Sequence, residues 1–255
     1  MLQIIYGFHA VIARLEQHPT TMAMVWLKAA RQDKRMQQLI DMLKHYNIKF
    51  ELVDSNKLDK FCTANHQGVI AEVEQITLEN DLDVILDNLE NSNIKANFLI
   101  LDGITDPHNL GACFRAADAF GVHGIIAPSN NSAAINGLVS KVASGACENI
   151  PYITVTNLGR TIKHLQERGV WIIGTSDKAE YNLYAEKIDL TDNIAWVMGA
   201  EGQGIRQGII QKCDFLVSIP MQGVVSSLNI SVAAGVCLFE TMRRRSQKIM
   251  VSIPS

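Results

Sequence analysis

The stretch 97–120, NFLILDGITDPHNLGACFRAADAF, holds the pattern that decides the fold. Its start, Phe98–Asp102, is a short apolar run that predicts a buried strand. A polar loop follows, and from Leu110 to Phe120 apolar residues recur at the spacing of an amphipathic helix. Gly121 then stands where a helix C-terminal glycine belongs. The stretch therefore predicts a strand, a loop and a helix in succession, which is the repeating unit of a parallel α/β sheet.

The same alternation continues toward the end of the chain. Apolar runs predict strands, and the amphipathic segments between them predict helices. Strands that helices cover on both faces are typical of parallel sheets, so we expect an α/β fold with one six-stranded parallel sheet. The predicted strands are Phe98–Asp102, Gly124–Ala127, Tyr152–Val155, Val170–Gly174, Ile194–Met198 and Phe215–Ile219. The predicted helices are Leu110–Phe120, Ala133–Ser144, Leu158–Arg168, Ile205–Lys212 and Leu228–Arg245.

Residues 1–75 mix short strands with a helical pattern, which predicts a small separate α/β domain. Ala23–Leu27 and Lys49–Val53 have strand character, and Arg35–Tyr46 has apolar residues at helical spacing. Residues 76–95 carry one more helical pattern that ends in an Asn/Ser cluster, and we interpret them as a linker. Residues 96–255 form the larger domain.

Composition and charge exclude several classes of protein. The 255 residues are 47% hydrophobic and 19% charged, as in ordinary globular proteins. The apolar runs fall well short of the roughly 20 residues of a bilayer span, and the N-terminus lacks a signal-peptide pattern, so we expect a cytoplasmic protein with no membrane partner. The 5 cysteines lack paired spacing, which predicts neither disulfides nor a metal site. Because the net charge is −3, nucleic acid would have to bind at a local basic patch.

Three junctions between a strand and the next helix hold candidate functional residues, because ligands bind beyond the carboxyl ends of parallel strands. In the first junction Asn109 stands at a natural N-cap position, and Arg115 follows less than two turns later. Two interpretations stay open. Either both residues serve a ligand, or Asn109 only caps the helix and Arg115 pairs with Asp118.

The second junction, WVMGAEGQG (196–204), is a strand that enters a glycine-rich loop. Glycines let the backbone approach a ligand closely. The order GxxGxG is neither a dinucleotide fingerprint nor a P-loop, and the carboxylate of Glu201 would repel phosphates. The loop favours a ligand with hydroxyl groups or positive charge, and a purely structural turn is the alternative.

The third junction, IPMQGVVSSLNIS (219–231), is rich in backbone donors and hydroxyl groups. Ser226 or Ser227 is expected to cap the last helix. The small residues of that helix suit close packing against another helix, as in a dimer.

Taken together and in order, the three junctions resemble the three sequence motifs of the SpoU branch of the SPOUT RNA methyltransferases. The resemblance covers nearly the whole chain, since IYGFHAV (5–11) and HQGVIA (66–71) are similar to the small substrate-binding domain of this family. Within the branch, the chain resembles the bacterial enzymes that methylate the ribose 2′-hydroxyl of a guanosine in the peptidyl-transferase P loop of 23S ribosomal RNA. The resemblance implies S-adenosyl-L-methionine as the cofactor, 23S ribosomal RNA as a partner, and no metal.

The resemblance also assigns residues. The catalytic set that it implies is Asn109, Arg115, Glu201 and Asn229. The cofactor is expected against the backbone of Gly199, Ile219 and Leu228, with Thr175, Met221 and Ser227 nearby. The family further implies a homodimer with the active site near its interface, a trefoil knot in the C-terminal domain, and a ribosomal L30e-like N-terminal domain. Val224 departs from the motif, where related enzymes often carry Ser, which affects only the polarity of the loop.

The role of Arg115 is a separate hypothesis. Members of the family are thought to use the matching arginine as a general base, but free guanidinium has a pKa above 12. We instead expect Arg115 to grip a phosphate of the target nucleotide and to stabilise the developing alkoxide, while Asn109 and Asn229 orient the substrate and Glu201 holds Arg115 or the substrate.

Two basic clusters are candidates for contact with RNA. One comprises Lys28, Arg31, Lys34 and Arg35. The other is the run Arg243–Arg245 with Lys248, for which a solvated helix face is the favoured interpretation.

Other functions fit the sequence less well. Transfer RNA is a rival substrate, because the motifs are shared across the branch, and the N-terminal domain favours ribosomal RNA. A non-catalytic RNA-binding module is disfavoured by the complete catalytic set. A nicotinamide dehydrogenase lacks its glycine fingerprint, and no Ser or Cys nucleophile elbow accompanies His108 and His123 for a hydrolase.

Overall fold

The structure, a computed structural model, describes residues 2–63, 65–74, 78–200, 202–225 and 227–251. Strands and helices alternate along this length. The strands are β1 (Leu2–Tyr6), β2 (Met22–Lys28), β3 (Phe50–Val53), β4 (Val69–Glu74), β5 (Asn97–Asp102), β6 (Gly124–Pro128), β7 (Tyr152–Val155), β8 (Trp171–Thr175), β9 (Tyr181–Asn182), β10 (Ile194–Gly199) and β11 (Phe215–Ser218). The helices are α1 (Phe8–Gln17), α2 (Lys34–His45), α3 (Ser55–Phe61), α4 (Leu82–Asn91), α5 (Pro107–Ala119), α6 (Gly137–Ala143), α7 (Leu158–Glu167), α8 (Gln207–Ile210) and α9 (Ile230–Val251).

Contacts between residues divide the chain into two compact units. The first unit is the chain up to Leu78 together with Ile135–Asn149, and the second is Glu79–Ala134 with the chain from Ile150 onward. Helix α6 therefore belongs to the first unit, although it lies in sequence between two strands of the second. The division of the chain at residues 75 and 95 stays a prediction.

The first unit contains a four-stranded sheet in the order β1-β4-β2-β3. Only β2 and β3 are parallel; β4 is antiparallel to both of its neighbours. The helical spacing of α2 buries Met36, Leu39 and Leu43 against this sheet. Sequence patterns predicted β2, β3 and α2 in this unit.

Two polar contacts attach α6 and the turn after it to the rest of the first unit. The hydroxyl of Tyr6 donates a hydrogen bond to the carbonyl of Gly137 at 2.9 Å. The guanidinium of Arg14, which is fully buried, forms an ion pair with the carboxylate of Glu148. A buried charge is stable only when it is paired, so this contact fixes the turn at Ala146–Glu148 on α1.

The second unit contains one sheet in the order β7-β6-β5-β10-β8-β11-β9, and every pair of neighbouring strands is parallel. All six predicted strands are present. The prediction of six strands was nevertheless wrong by one, because β9 adds a seventh strand at the edge. β9 has two residues, which is too short for a periodic pattern to reveal.

The core of this unit explains why its strands are continuous apolar runs. Every residue of β5 and β6 is buried. Leu86 of α4 and Ile162 and Leu165 of α7 pack in the same cluster as Phe98 and Ile100 of β5. A strand that is covered on both faces loses the alternation of a half-exposed strand.

The strand order places the functional junctions at one edge of the sheet. Strands β5, β10, β8 and β11 are neighbours, and parallel strands end at the same edge. Gly199 lies opposite Asp102 in the register of β10 and β5, and Thr175 lies opposite Val217 in the register of β8 and β11. The loops after these four strands therefore emerge side by side. The trefoil knot stays a prediction.

The favoured interpretation of the arginine run at the end of α9 as a solvated face was wrong for Arg244 and Arg245, which bind backbone carbonyls of the protein. A contact of the run with RNA stays a prediction. Arg244 donates to the carbonyls of Leu183, Ala185 and Ile188 at 2.8–3.2 Å. Arg245 donates to the carbonyls of Lys95, Ala96, Leu190 and Asp192 at 2.7–3.3 Å. Hydrogen bonds from Arg243 and Arg244 lower the pKa of Glu240 to about 2. These side chains tie α9 to the segment 183–192, which is a structural role.

Among the described residues, no helix is both long and apolar enough to cross a membrane. In the same part of the chain, acidic residues, cysteines and histidines form no group of three or more that would hold a metal ion.

Candidate active site

The side chains of Asn109 and Asn229 are joined by a hydrogen bond. The amide nitrogen of Asn229 donates to the side-chain oxygen of Asn109 at 2.9 Å, across 120 residues of sequence. Asn109 is half-buried in the first turn of α5, and Asn229 immediately precedes α9. The structure thus brings together the predicted asparagines of the first and third junctions.

The prediction that Asn109 caps a helix was wrong. Helix α5 begins at Pro107, three residues before the predicted start, and Asp106 is its N-cap, accepting from the backbone N–H of His108 at 3.0 Å. A proline at the first helical position after an aspartate is a strong start signal, because proline lacks the N–H that would have no acceptor there. Asn109 is therefore free of capping and turns its side chain to Asn229.

Asn229, and not Ser227, caps α9. Its side-chain oxygen accepts from the backbone N–H of Ser231 at 2.9 Å and from the hydroxyl of Ser231 at 2.6 Å. The prediction of a serine cap was wrong for Ser227, and Ser226 lies outside the described residues. The cap uses the side-chain oxygen of Asn229, so the side-chain nitrogen of the same residue can donate to Asn109.

Arg115 lies on α5, apart from this pair. It follows Asn109 by six residues, which corresponds to about 9 Å along the helix and about 120° around its axis. Its side chain is exposed and, within the described chain, makes no ion pair. The alternative in which Arg115 only neutralises Asp118 is not supported by such a contact, so its charge is available to a ligand.

The glycine-rich loop after β10 is folded tightly on itself. The backbone N–H of Gly204 donates to the carbonyl of Ala200 at 2.8 Å. A side chain at Gly199 would overlap with the backbone of Gly204 and Ile205, so only glycine fits there. Glu201, the predicted carboxylate of this loop, lies outside the described residues.

Asp102 and Arg206 form a contact that sequence patterns did not reveal. The side chain of Asp102 is fully buried at the end of β5. It accepts hydrogen bonds from the backbone N–H of Arg206 at 3.0 Å and from its Nε at 2.8 Å. These bonds also raise the pKa of Arg206. The sequence did hold one signal for such a contact, namely a carboxylate at the end of a buried apolar strand. Buried charges are almost always paired, so a partner for Asp102 was to be expected.

The described part of the loop between β11 and α9 has an unpaired backbone. The structure records no hydrogen bond for the described residues 219–225 and 227–228. Ile219, Met221 and Leu228 are nevertheless half-buried, and Ser227 is exposed. Backbone groups with no hydrogen-bond partner in the protein are open to water or a ligand, so this part of the loop offers donors and acceptors beside partly covered apolar side chains.

Thr175 ends β8 on the other side of β10. Its hydroxyl donates to the carbonyl of Val197 at 3.4 Å. The predicted residues Gly199, Thr175 and Ile219 therefore stand at or just beyond the ends of three neighbouring strands, β10, β8 and β11.

Two thiols, and an imidazole at the amino edge of the sheet, do not provide a nucleophile or a base. Burial raises the pKa of Cys113 on α5 and of Cys213 after α8 to about 12, so both remain protonated. Burial, together with the charge of Arg245, lowers the pKa of His123 to about 4. The Nδ1 of His123 accepts the backbone N–H of Asn97 at 3.1 Å, which makes it structural.

Two sequence families match the chain. The model of the SpoU rRNA Methylase family matches residues 96–239, which is more than half of the chain and includes both asparagines, Arg115 and the glycine loop. This chain belongs to the SpoU rRNA methylase family. A second family, described as RNA 2′-O ribose methyltransferase substrate binding, matches residues 4–78.

Curated members of the SpoU family are similar over nearly the full length. The 23S rRNA (guanosine-2′-O-)-methyltransferase RlmB of Ralstonia nicotianae is 50% identical over 245 residues, covering 96% of each chain. RlmB of Escherichia coli K12 is 48% identical over 249 residues, which is 96% of this chain and 100% of the relative.

Solved structures of SpoU proteins share the fold. The SpoU methyltransferase AviRb from Streptomyces viridochromogenes, in complex with the cofactor AdoMet, has a TM-score of 0.73 at 22% identity and covers 96% of this chain and 91% of its own. The TrmH/SpoU tRNA modifying enzyme of A. aeolicus has a TM-score of 0.56 at 29% identity, covering 68% of this chain and 89% of its own.

Proposed function

We propose that this protein transfers a methyl group from S-adenosyl-L-methionine to the ribose 2′-hydroxyl of a guanosine in 23S ribosomal RNA, in the peptidyl-transferase P loop. The observation that carries the proposal is the hydrogen-bonded pair Asn109–Asn229 at the carboxyl edge of the sheet, where two motif loops meet. The curated relatives that share half of the sequence are named for this reaction on 23S rRNA.

The residues around the ends of β10, β8 and β11 fit a cofactor with an adenosine and an amino-acid group. Such a ligand needs backbone donors and acceptors beside partly apolar walls. The unpaired residues 219–225 and 227–228 supply the first, and the half-buried Ile219, Met221 and Leu228 supply the second. Backbone of Gly199, Ile219 and Leu228 would hold the cofactor, with Thr175, Met221 and Ser227 beside it. When bound, S-adenosyl-L-methionine supplies a methyl group on a positively charged sulfonium.

The chain's own contribution is mainly positioning. Holding two reacting groups in the correct geometry contributes roughly 7 to 11 kcal/mol to a displacement. Asn109 and Asn229 orient the ribose hydroxyl, since each fixes the other and the pair is anchored at the starts of α5 and α9. Glu201 would bind Arg115 or the substrate, as the family motif implies.

Arg115 would grip a phosphate of the target nucleotide and stabilise the alkoxide that forms as the hydroxyl loses its proton. Its planar guanidinium suits bidentate binding of a phosphate. Helical geometry turns Arg115 about 120° away from Asn109 on the same helix. We therefore assign Arg115 to the active site of a second copy of the chain in a homodimer.

An exposed apolar face supports the homodimer. Phe239 and Val232 of α9 are 48% and 51% exposed, and the ring of Phe239 contacts that of Phe120 edge-to-face at 6.0 Å. The small residues of α9, Ala233 and Gly235, allow a second helix to approach closely. Large apolar side chains on a helix of small residues are typical of a helix–helix interface.

The first unit would contact RNA through its basic patch. The guanidinium groups of Arg31 and Arg35 lie over the ring of Phe8 at 4.5 and 4.8 Å. Lys28 and Lys34 complete the patch. Stacking on an aromatic ring holds the guanidinium planes in place for phosphates or bases. Removing the charges of Lys28, Arg31 and Lys34 should weaken RNA binding, and unchanged affinity would reject this patch.

The direct test uses unmodified RNA. Purified protein is incubated with S-adenosyl-L-methionine and either a 23S ribosomal RNA transcript or a transfer RNA pool, and 2′-O-methyl positions are mapped. We expect one methylated guanosine in the 23S transcript and none in transfer RNA. Methylation of transfer RNA alone would instead assign the rival substrate, and no methylation of either would reject the proposal.

Mixing two inactive variants tests the assignment of Arg115. If Arg115 acts in the partner's site, Arg115→Ala and Asn229→Ala protomers that exchange subunits regain about a quarter of wild-type activity, because half of the dimers hold one complete site of two. If Arg115 acts in its own chain, the mixture stays inactive.

A further inference from the structure

A cavity of about 580 Å³ opens beside the candidate active site. Its walls come from the segments after β6 and β7 and from α7 and α8. In the strand order, β6 lies two positions from β10, which corresponds to about 10 Å. Of the residues discussed for the active site, only Arg206 lines this cavity. The cavity is therefore a neighbouring feature, at the same edge of the sheet.

Lys212, an exposed residue, brings a positive charge to the lining of this cavity. Its stem crosses the first turn of α7, where a Cβ added at Gly159 would lie 3.0 Å from the Cε of Lys212. Among the described residues, the ammonium group of Lys212 has no ion-pair partner. A cation at a helix N-terminus is unfavourable, because the helix dipole is positive there. The ammonium group of Lys212 and the positive end of the α7 dipole together favour an anion at this place.

The walls of the cavity add hydrogen-bond donors. The side chain of Asn157 caps α7 by accepting from the N–H of Arg160 at 3.0 Å, which leaves the N–H groups of Leu158 and Gly159 without an acceptor inside the helix. The cavity is also lined by the polar residues Asn130, Asn131 and Thr156. None of the described residues that line it is acidic. Arg206 adds little free charge, since it is paired with Asp102.

We propose that this cavity binds a phosphodiester of the RNA strand next to the methylated nucleotide, with Lys212 as the cationic contact. The proposal rests on the proposed function for the identity of the polymer. A nucleotide within an RNA strand has a phosphate on each side, and a site that selects one 2′-hydroxyl gains from fixing the neighbouring backbone. The carboxyl edge of the sheet then holds the target ribose at Asn109 and Asn229 and a flanking phosphate at Lys212.

The test replaces Lys212 by methionine, which keeps most of the stem and removes the charge. Lys163→Met is the matched control, because Lys163 belongs to α7, whose first turn borders the cavity, but pairs with Glu167 and does not line the cavity. The dissociation constant of a 23S ribosomal RNA transcript is measured at several salt concentrations. Lys212→Met should weaken binding about five- to tenfold and reduce the salt slope by about 1, while the control leaves both unchanged.

Two further measurements, of inorganic phosphate binding and of methyl transfer, complete the test. Equal affinity and salt slope in Lys212→Met and wild type would overturn the proposal. Binding of inorganic phosphate that depends on Lys212, with unchanged RNA affinity, would assign the cavity to a free anion and also overturn it. If RNA binding depends on Lys212 but the wild-type protein transfers no methyl group, the cavity assignment stands and the proposed function fails.

Discussion

The buried carboxylate of Asp102 holds the backbone N–H and the Nε of Arg206 at 3.0 and 2.8 Å, joining the end of β5 to the end of the glycine-rich loop. The loop begins at Gly199, which lies opposite Asp102 in the sheet, so both ends of the loop are fixed near one residue. Asp102 is thus a positioning residue for the loop assigned to the cofactor.

Asp102→Asn should loosen this loop. The amide has one acceptor oxygen instead of two, so one donor of Arg206 is left unpaired, at a cost of about 1–3 kcal/mol. We expect the KM for S-adenosyl-L-methionine to rise about tenfold with a smaller change in kcat, a split that a loss of fold alone would not produce. Asp87→Asn, which breaks a surface pair with Arg168, is the control and should leave KM unchanged. An unaltered KM in Asp102→Asn would contradict the positioning role.

Asn229→Asp separates capping from catalysis. Aspartate keeps the oxygen that caps α9 through Ser231 but cannot donate to Asn109. The melting temperature should therefore stay within a few degrees, while kcat falls about tenfold or more because Asn109 loses its partner. Asn229→Ala, which removes the cap as well, should also lower stability by about 1 kcal/mol. Full activity in Asn229→Asp would show that the hydrogen bond to Asn109 has no role in the reaction.

Arg115→Lys distinguishes a bidentate clamp from a simple positive charge. Lysine keeps the charge but presents a single ammonium group in place of the planar fork. We expect kcat/KM to fall by more than about tenfold, which is about 1.4 kcal/mol of transition-state stabilisation. Arg243→Lys, at a structural position, is the control and should retain activity. Activity within about tenfold of wild type in Arg115→Lys would reject the clamp.

Arg245→Met should destabilise the protein and leave RNA binding intact. The substitution removes the donors to four backbone carbonyls, which we expect to cost about 2–3 kcal/mol in the free energy of unfolding. Urea denaturation measures this loss. Arg243→Met, which contacts Glu240 and Gln247, should cost less. A large loss of RNA affinity in folded Arg245→Met would restore the arginine run as a nucleic-acid contact.

His123 makes stability fall in mild acid. Its pKa is about 4 in the folded protein and 6.5 when exposed, so below pH 6.5 the unfolded chain takes up a proton that the folded protein does not. Stability is fully present above pH 6.5 and decreases as pH falls toward 4, by about 3 kcal/mol from this residue.

His123→Asn tests this assignment. Asparagine supplies an oxygen that can accept the N–H of Asn97 but does not titrate. Urea denaturation at pH 7 and pH 5 should show a smaller loss of stability in the variant than in the wild type. The same loss in both proteins would assign the acid sensitivity to other groups.

The sequence by itself determined the class of fold and the junctions that hold the candidate site. Buried parallel strands are continuous apolar runs, which is why all of the long strands from β5 to β11 were predicted within one or two residues. The junctions that hold Asn109, Gly199 and Asn229 were singled out because each follows such a strand, and the family resemblance then assigned the residues within them. Periodicity did not reveal β9, which is too short, or the start of α5, where Pro107 and not the apolar pattern marks the first turn.

Only the tertiary structure decided which of these residues touch. The contacts Asn109–Asn229 and Asp102–Arg206 each join positions more than 100 residues apart, and no local pattern encodes such a distance. The same reason explains why the environment of Arg244 and Arg245 was not predicted. Their sequence is typical of an exposed basic run, but their guanidinium groups donate to backbone carbonyls that are distant in the sequence. Local chemistry fixes the elements, whereas the order of the strands in the sheet decides which loop residues become neighbours.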